Sequence, residues 1–509
     1  MFFSLKPDCY FRHYGKIGHI VRPILSMEEV VDECGALFIE QLEYEPEEID
    51  TIVKKLEQHF SNVRFDDLKK DAIAFYSELA QNGFLNMSES LQEFKNEGFN
   101  YKTLEGKLAD NHIASQLEEP SSYFLGEYFK EKPFLETFHI ELTSKCNERC
   151  VHCYIPHKNK TTDINESLML NALKQCKELG VLTVIFSGGE PMLHPQFCKF
   201  LKYAKDLDIN VTVLSNLTLL TDGIIEALKY RHIACVNVSL YSMDPAVHDS
   251  ITTIQGSFEK TKNNILRLIE NNIAVQINCP VMKQNKDSFY EVIKWGQDHK
   301  CSVVTDYLIM ARFDRSTDNL DNRLSTDELN DVIQHLIDND VIFKENFKNR
   351  TLHPEMFKRP GQPDDKVCGV GMSTMCMVAN GNVYPCAGWQ QYVCGNLNDT
   401  SLSEIWSNSP AINYLRKLRL KDFKQCVGCK DFDYCVMCMS RNSNEDPDGN
   451  LFNIPEITCK AAQIHHRLVE SYKERLCGDW FLFWYSCSFW TVWGCLLFST
   501  HSNRNISRT

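Results

Sequence analysis

The chain has 509 residues, 43% hydrophobic and 24% charged. That is material for about three or four domains, and it excludes a mainly disordered, collagen-like or disulfide-stapled miniprotein. A formal net charge of −14 argues against a general nucleic-acid binder, whose phosphate contacts want a basic surface. Twenty-two cysteines, in one tight early trio and one dense late group, are distributed as metal ligands more than as a secreted disulfide framework.

The opening MFFSLKPDCYFRHYGKIGHIVRP has no long apolar run behind a basic start. No cleaved signal peptide is expected, and the cysteines are expected reduced in a cytoplasm. From about Tyr10 to Leu85 the pattern predicts strands followed by helices. Gly18–Leu25 is short, apolar and β-branched. Pro46–Leu56 has helical spacing, with Glu47 and Glu48 near its positive end, and a further helix capped by Asp66 runs through Leu68, Ala72, Phe75 and Leu79 to a stop at Gly83. Residues 86–131 are polar and patchy and read as a linker with room for a helix.

From Phe134 the pattern alternates. Apolar, β-rich runs occur at Phe138–Thr143, Leu182–Ser187, Val211–Leu214, Val236–Tyr241, Ala274–Val281 and Val303–Met310. Helical stretches stand between most of them, at Ser167–Leu179, Gln196–Leu207, Gly223–Tyr230, Phe258–Glu270 and Ser288–Gln297. Six strand–helix units in series predict a parallel sheet with right-handed crossovers, curled into a barrel or part of one, with its active site at the C-terminal strand ends. Residues 344–471 lose this rhythm and become cysteine-rich, the mark of a metal-held domain. Trp480–Phe498 then runs 19 residues without a charge and holds four of the seven tryptophans. Arg475 offers it an anchor at a bilayer, while Ser486, Ser488, Thr491 and Gly494 interrupt it. Membrane association, a packing contact and an end without a role all stay open, and no chemistry is assigned there.

Directly after the first of the six strands stands Cys146-x3-Cys150-x2-Cys153-Tyr154. Three thiolates so close can wrap one metal centre, one short of the usual four of a cubane; a zinc site completed by His152 or His157 is the alternative. The next strand ends in Ser187-Gly188-Gly189-Glu190-Pro191. The trio with its following aromatic, and a GGEP motif about 35 residues later, resemble the radical S-adenosylmethionine superfamily. The resemblance implies that Cys146, Cys150 and Cys153 hold a [4Fe–4S] cluster whose open iron is chelated by the methionine moiety of S-adenosylmethionine. Tyr154, Gly188, Gly189, Glu190 and Pro191 would line that cofactor, the glycines admitting its amine and Glu190 accepting from it. Ser215 and Asn216 end the third strand and Ser239 the fourth, where the family contacts ribose and carboxylate; a polar strand-end cap is the other reading of each. Asn278, Asn285 and Asp306 close later strands, with structural satisfaction the expected role. The implied chemistry is one-electron cleavage of the sulfonium to methionine and a 5′-deoxyadenosyl radical, which takes a hydrogen from a substrate carbon. Cys176, Cys198, Cys235, Cys279 and Cys301 sit in apolar or helical runs and read as small core residues.

The late group reads Cys368-x12-Gly381-x4-Cys386, then Cys426-x2-Cys429-x5-Cys435-x2-Cys438, then Cys459. Two zinc sites would use such pairs. After a core of this kind, the arrangement, with Gly381-Asn-Val-Tyr-Pro-Cys386, Gly395-Asn-Leu and Ser403-Glu-Ile-Trp406, resembles the SPASM domain and its two auxiliary [4Fe–4S] clusters. That resemblance implies Cys368, Cys386 and Cys438 on the first cluster and Cys426, Cys429, Cys435 and Cys459 on the second. The last pair is separated by two residues where the usual pattern has three. The fourth ligand of the first cluster is Cys376, Cys394 or an open position.

Residues 1 to about 90 separate the members of such a group. The run Phe38–Tyr44, the helix to Leu56, and Phe65, Leu68, Phe75, Leu79 and Gly83–Leu85 resemble the PqqD-like recognition element of ribosomal-peptide maturation, a winged-helix module that pairs a leader as an extra strand. Glu40, Glu43, Glu45, Glu47 and Glu48 form an acidic face that a basic leader could exploit. The expected layout is an α/β chain: a leader-recognition module (1–95), a linker (96–131), a partial (β/α)6 TIM-type barrel (132–343), a SPASM domain (344–476) and a hydrophobic aromatic tail (477–509). The expected act is hydrogen abstraction from a precursor peptide followed by a thioether or carbon–carbon crosslink, with flavodoxin or ferredoxin as electron donor. A sulfatase-maturase-like oxidation of Cys or Ser, and a leader-binding adaptor with structural metal domains, are the alternatives.

Overall fold

The computed structural model describes residues 1–104 except 26 and 61, 128–129, 133–231, 233, 235–339, 363–364 and 366–486. Most of the expected linker, the stretch 340–362 and the tail beyond 486 lie outside the described residues.

The chain opens with β1 (Phe2–Leu5), β2 (Tyr10–Tyr14), β3 (Ile17–Arg22), β4 (Met27–Asp32), α1 (Glu33–Ile39), β5 (Glu47–Glu48), α2 (Ile49–Leu56), α3 (Phe65–Gln81) and β6 (Leu85–Ser88). The strands form two antiparallel sheets, β2-β3-β4 and β5-β1-β6. Ile49, Ile52, Val53 and Leu56 make the buried stripe of α2, at the i, i+3, i+4, i+7 spacing of an amphipathic helix. They meet Phe3, Phe38, Tyr76 and Leu79 in one core.

Three expectations change here. Arg64, not Asp66, occupies the N-cap of α3; Asp66 lies in the first turn, where the helix dipole favours it, and Arg64 pairs with Asp67. Asn86 belongs to β6 and pairs with Ser4 of β1 rather than to a linker. Its buried side chain accepts from Lys6 Nζ at 2.8 Å, and this polar residue hides the strand in the sequence. Glu47 and Glu48 form β5 rather than the first turn of a helix, which begins at Ile49, and Lys55 pairs with Glu47.

The core then alternates as predicted: β7 (Thr137–Thr143), α4 (Glu166–Glu178), β8 (Thr183–Gly188), α5 (Phe197–Asp206), β9 (Asn210–Ser215), α6 (Asp222–Lys229), β10 (Cys235–Ser239), α7 (Pro245–Thr252), α8 (Ser257–Glu270), β11 (Val275–Asn278), α9 (Phe289–Asp298), β12 (Ser302–Val304) and α10 (Thr326–Asn339). The expected strands Ala274–Val281 and Val303–Met310 are shorter than drawn; Pro280, with no N–H to give, ends the first. Helix α7 was not foreseen, although Asp244 caps Ala246 N and Pro245 takes the first helical position.

The last part holds β13 (Thr374–Met377), β14 (Asn382–Tyr384), β15 (Gly395–Asn396), α11 (Leu402–Asn408), α12 (Pro410–Lys417), α13 (Met439–Glu445) and α14 (Glu456–Ser486). The backbone of α14 runs through residue 477, where the tail was expected to begin. Among the described residues no helix is long and apolar enough to cross a membrane.

One nine-stranded sheet, β12-β11-β10-β9-β8-β7-β13-β14-β15, carries both the core and this last part. Its first six strands are parallel neighbours, and β13 joins β7 in parallel, with Cys376 opposite His139. Phe138, Ile140, Val184, Phe186, Val211, Val213, Val236 and Val238 are wholly buried in the main core. The alternate residues His139, Ile185, Thr212, Asn237 and Gln276 line the other face and are only half-buried. The period of two in each strand thus leaves a partly polar concave face inside the half-barrel.

The N-terminal module docks at the strand starts of the core. Arg12 Nη1 pairs with Asp208 at 3.0 Å, Arg12 Nη2 donates to Val181 O at 3.2 Å, and Tyr44 Oη donates to Asp208 Oδ1 at 2.6 Å. The Tyr14 ring meets Phe134 edge-on at 4.4 Å. Arg12→Ala removes the buried half of this clamp and should cost about 3 kcal/mol. Urea unfolding should show that loss, and hydrogen exchange should show faster opening in β2 while the core sheet keeps its protection.

Candidate active site

The cysteine trio occupies the loop after β7. A register shift between Glu141 and Thr143 sets two residues of β7 against one of β8 at the strand's end, a bulge that re-aims the chain as it leaves the sheet. The backbone of the GGEP segment lies along this loop, Gly189 N donating to Thr143 O at 2.7 Å and Glu190 N to Lys145 O at 2.9 Å. Both glycines are demanded by that approach. A Cβ on Gly188, whose φ is +133°, would stand 1.9 Å from Thr143 O, and one on Gly189 would stand 2.2 Å from Lys145 O.

Distant segments hold the rest of the loop. Val151 N and Arg149 N donate to Ile251 O and Thr252 O at the end of α7. Arg312, paired with Asp318, donates to Cys153 O at 2.8 Å, and Asn319 and Asn322 donate to the carbonyls of His152 and Val151. The trio is brought together: burial raises the Cys150 thiol, and nearby Glu148, Cys153 and Cys146 raise it further. Burial pushes Cys146 up to about 11. A bound metal ion supplies the positive charge that makes such thiols ligating thiolates.

Glu190 is fully buried and its carboxylate is already engaged. It accepts from Met192 N at 3.0 Å, Ser215 Oγ at 2.8 Å and Asn216 N at 2.8 Å. Burial raises it to about 7 against those bonds. Glu190, Ser215 and Asn216 are thus one network tying β8 to β9, and Asn216 Nδ2 extends it to Asn147 of the cysteine loop at 2.9 Å. Pro191 opens a short turn behind Glu190. Ser239 ends β10 in register with Asn278. Asn285 is structural, its Nδ2 donating to Tyr241 O and its Oδ1 accepting from Met282 N.

The residues fit the groups that the sequence implies. Beside the trio, Glu148 Oε1 and His152 Nδ1 are buried with no hydrogen-bond partner among the described residues, polar atoms left facing the loop's interior.

The late cysteines converge in two sets. After burial, Cys438 and Cys368 are what raise Cys386 to about 12; Cys435, Cys459 and Cys429 do the same for Cys426, again to about 12. Cys376 and Cys394 both feel Cys386 as well. Cys176, Cys279 and Cys301 are buried in the core, and Cys198 and Cys235 pack against it.

Glu141 escaped the sequence reading. It sits on the concave face of β7, 3% exposed, and its Oε1 accepts from Tyr154 Oη at 3.2 Å and Gln390 Nε2 at 2.7 Å. The available signal was a carboxylate between Ile140 and Leu142, two residues before the strand's end.

Residues 140–296 match the radical SAM superfamily, and residues 368–431 match SPASM, an iron–sulfur cluster-binding domain. The chain is 26% identical over 330 residues to the AdoMet-dependent heme synthase of Methanosarcina barkeri (strain Fusaro / DSM 804), covering 58% of this chain and 91% of that protein. It is 27% identical over 326 residues to the antilisterial bacteriocin subtilosin biosynthesis protein AlbA of Bacillus subtilis (strain 168), covering 62% and 69%. In fold it is similar to the crystal structure of Streptococcus suis SuiB bound to precursor peptide SuiA, with a TM-score of 0.57 at 16% identity, covering 88% of this chain and 98% of that one.

Gly188→Ala should displace the cysteine loop and leave the late cysteines intact. After anaerobic reconstitution, iron should fall by about a third, from about twelve to about eight atoms per chain for four-iron clusters. Full iron in this variant would show that the loop does not depend on the close approach.

Proposed function

We propose that this chain, a radical S-adenosylmethionine enzyme with a SPASM domain, matures a ribosomally made precursor peptide by installing a thioether or carbon–carbon crosslink. Its cofactors are S-adenosylmethionine and iron–sulfur clusters. The observation that carries the peptide reading is the front module. Its sheet β2-β3-β4 ends at β4, which among the described residues pairs with β3 alone. The C-terminal end of helix α3 reaches that strand, Asn82 Nδ2 donating to Glu29. An extended leader can add to such an edge as a further strand, and main-chain bonds then supply affinity without demanding one side-chain sequence. Two similar proteins support this reading: AlbA is named for bacteriocin biosynthesis, and SuiB was crystallised with its precursor peptide.

In this reading residues 1–95 hold the leader, 132–343 bind the cofactor and 344–476 carry the auxiliary clusters. Cys146, Cys150 and Cys153 hold the first cluster, Cys368, Cys386 and Cys438 the second, and Cys426, Cys429, Cys435 and Cys459 the third. When bound, the first cluster and S-adenosylmethionine supply reductive C–S cleavage and hydrogen-atom abstraction. The chain's own work is positioning. Arg312 and Asn319 fix the backbone of the trio, and the Glu190 network fixes the opposite wall. A flavodoxin or ferredoxin serves as electron donor.

Anaerobic co-expression with the small peptide encoded beside this gene, followed by intact mass, tests the reading. Loss of two hydrogens per modified site is expected. An unchanged peptide with deoxyadenosine still forming would favour the sulfatase-type oxidation of another substrate, and no deoxyadenosine at all would leave only the adaptor. Cys146→Ala should abolish turnover and keep leader affinity, as titration of a labelled leader would show.

A further inference from the structure

A cavity of ≈ 200 Å³ opens between the C-terminal end of β7, the segment after the cysteine trio and the β13–β14 hairpin. Glu141, Ile155, Phe313, Asn380, Tyr384 and Gln390 line it. The cavity lies between the two metal-binding parts of the chain. On one side Tyr154, next to Cys153, donates to Glu141 Oε1; on the other Gln390 Nε2 donates to the same oxygen and lies 3.2 Å from Ala387 O, beside Cys386. Both bonds fall on Oε1. Oε2 has no hydrogen bond among the described residues, and it is not among the buried unpartnered atoms. A carboxylate with one oxygen clamped and the other turned to a cavity is oriented toward whatever enters.

We propose that Glu141 is a catalytic residue, the proton acceptor for the peptide group that closes the crosslink in this cavity. The proposal rests on the crosslinking reading above. The substrate carbon has already lost its hydrogen atom and faces a partner atom X, a thiol sulfur or a ring carbon. The X–H bond breaks, its proton passes to Glu141 Oε2, and its electron pair forms the C–X bond. The surplus electron leaves to an oxidant of the iron–sulfur class, which is reduced by one electron.

The surroundings suit a base. Tyr154 faces Glu141 from the cysteine loop, Tyr384 and Cys376 from the β13–β14 hairpin, and His139, bonded to Ser187, stands one rung below on β7. Burial pushes His139 down to about 4, so it is neutral. With no cation among these groups, burial raises the Glu141 carboxyl to about 7, against the bonds from Tyr154 and Gln390. A base with a pKa near the working pH transfers protons most effectively.

Glu141→Gln keeps the shape and can still accept from Tyr154 and Gln390. At pH 8 it should still form deoxyadenosine but lose crosslinking by about 100-fold or more. The wild-type crosslinking rate should fall as pH drops through about 7, and this acid limb should vanish in E141Q. Glu141→Asp should restore part of the rate with the limb, and it carries the comparison if the glutamine variant does not fold. In the cluster-free protein, the infrared carboxyl absorbance lost as pH rises through about 7 should be larger in the wild type than in E141Q, the remainder belonging to buried carboxyls such as Glu190. Crosslinking by E141Q within about threefold of wild type, far below a base's usual contribution, or equal carboxyl titration in the wild type and E141Q, would overturn the assignment. Wild-type enzyme that removes no hydrogens from any peptide would overturn the crosslinking reading and this assignment together; product from the wild type with an equal E141Q rate would overturn this one alone.

Discussion

The mouth of the half-barrel depends on how closely the end of β8 can lie against the loop that leaves β7. The two hydrogen bonds from Gly189 N and Glu190 N bring backbone to backbone where any Cβ would penetrate a carbonyl oxygen. Everything else at the mouth follows from that contact. Once it is made, Glu190 is drawn inward to gather Met192, Ser215 and Asn216, and Asn216 reaches back to Asn147 between the first two cysteines. The GGEP segment therefore shapes the cysteine loop as much as it lines a cofactor. Its glycines are a steric condition for the trio to converge.

The second constraint is the continuity of the sheet. Because β13 pairs directly with β7, the cysteine-rich part is an extension of the core sheet rather than a separate body joined by a tether. Register then places Cys376 opposite His139, so the alternation that turns His139 and Glu141 to the concave face turns Cys376 there too. Cys376 is thereby brought to the same face as Glu141, beside Cys386. A buried apolar neighbourhood on both sides explains why so many of these thiols are raised in pKa before any ion is bound.

Much of this was legible in the sequence because its signals are local. Each core strand is a short apolar run, and each following helix carries a stripe such as Leu168, Met169, Ala172, Leu173 and Cys176 behind an Asn165 cap. The cysteine and glycine motifs could be placed because their chemistry is written in spacing. What stayed hidden is nonlocal. The pairing of β13 with β7 joins residues more than two hundred positions apart, and no pattern within either strand declares it. Glu141 looked like one polar interruption in a strand; its meaning comes from Tyr154 and Gln390, which only the fold brings to it. Glu190 likewise gained neighbours that its motif does not mention, because Met192, Ser215 and Asn216 all donate to its carboxylate.

The placement of the front module adds a geometric condition on any substrate. Arg12, Tyr14 and Tyr44 fasten it to Val181, Phe134 and Asp208, at the strand starts, whereas the cysteine loop leaves the strand ends. A strand of six residues such as β8 separates those two levels by roughly 20 Å. A peptide paired along β4 and reacting at the mouth must therefore cover at least that height outside the sheet, which takes about six extended residues. Recognition and reaction then act on different parts of one chain. The edge of β4 can be tolerant of side chains, as main-chain pairing is, while the cavity beside Glu141 would have to hold both groups that a crosslink joins. Selectivity for the reacting residue would come from that cavity and from the length of peptide between the two contacts.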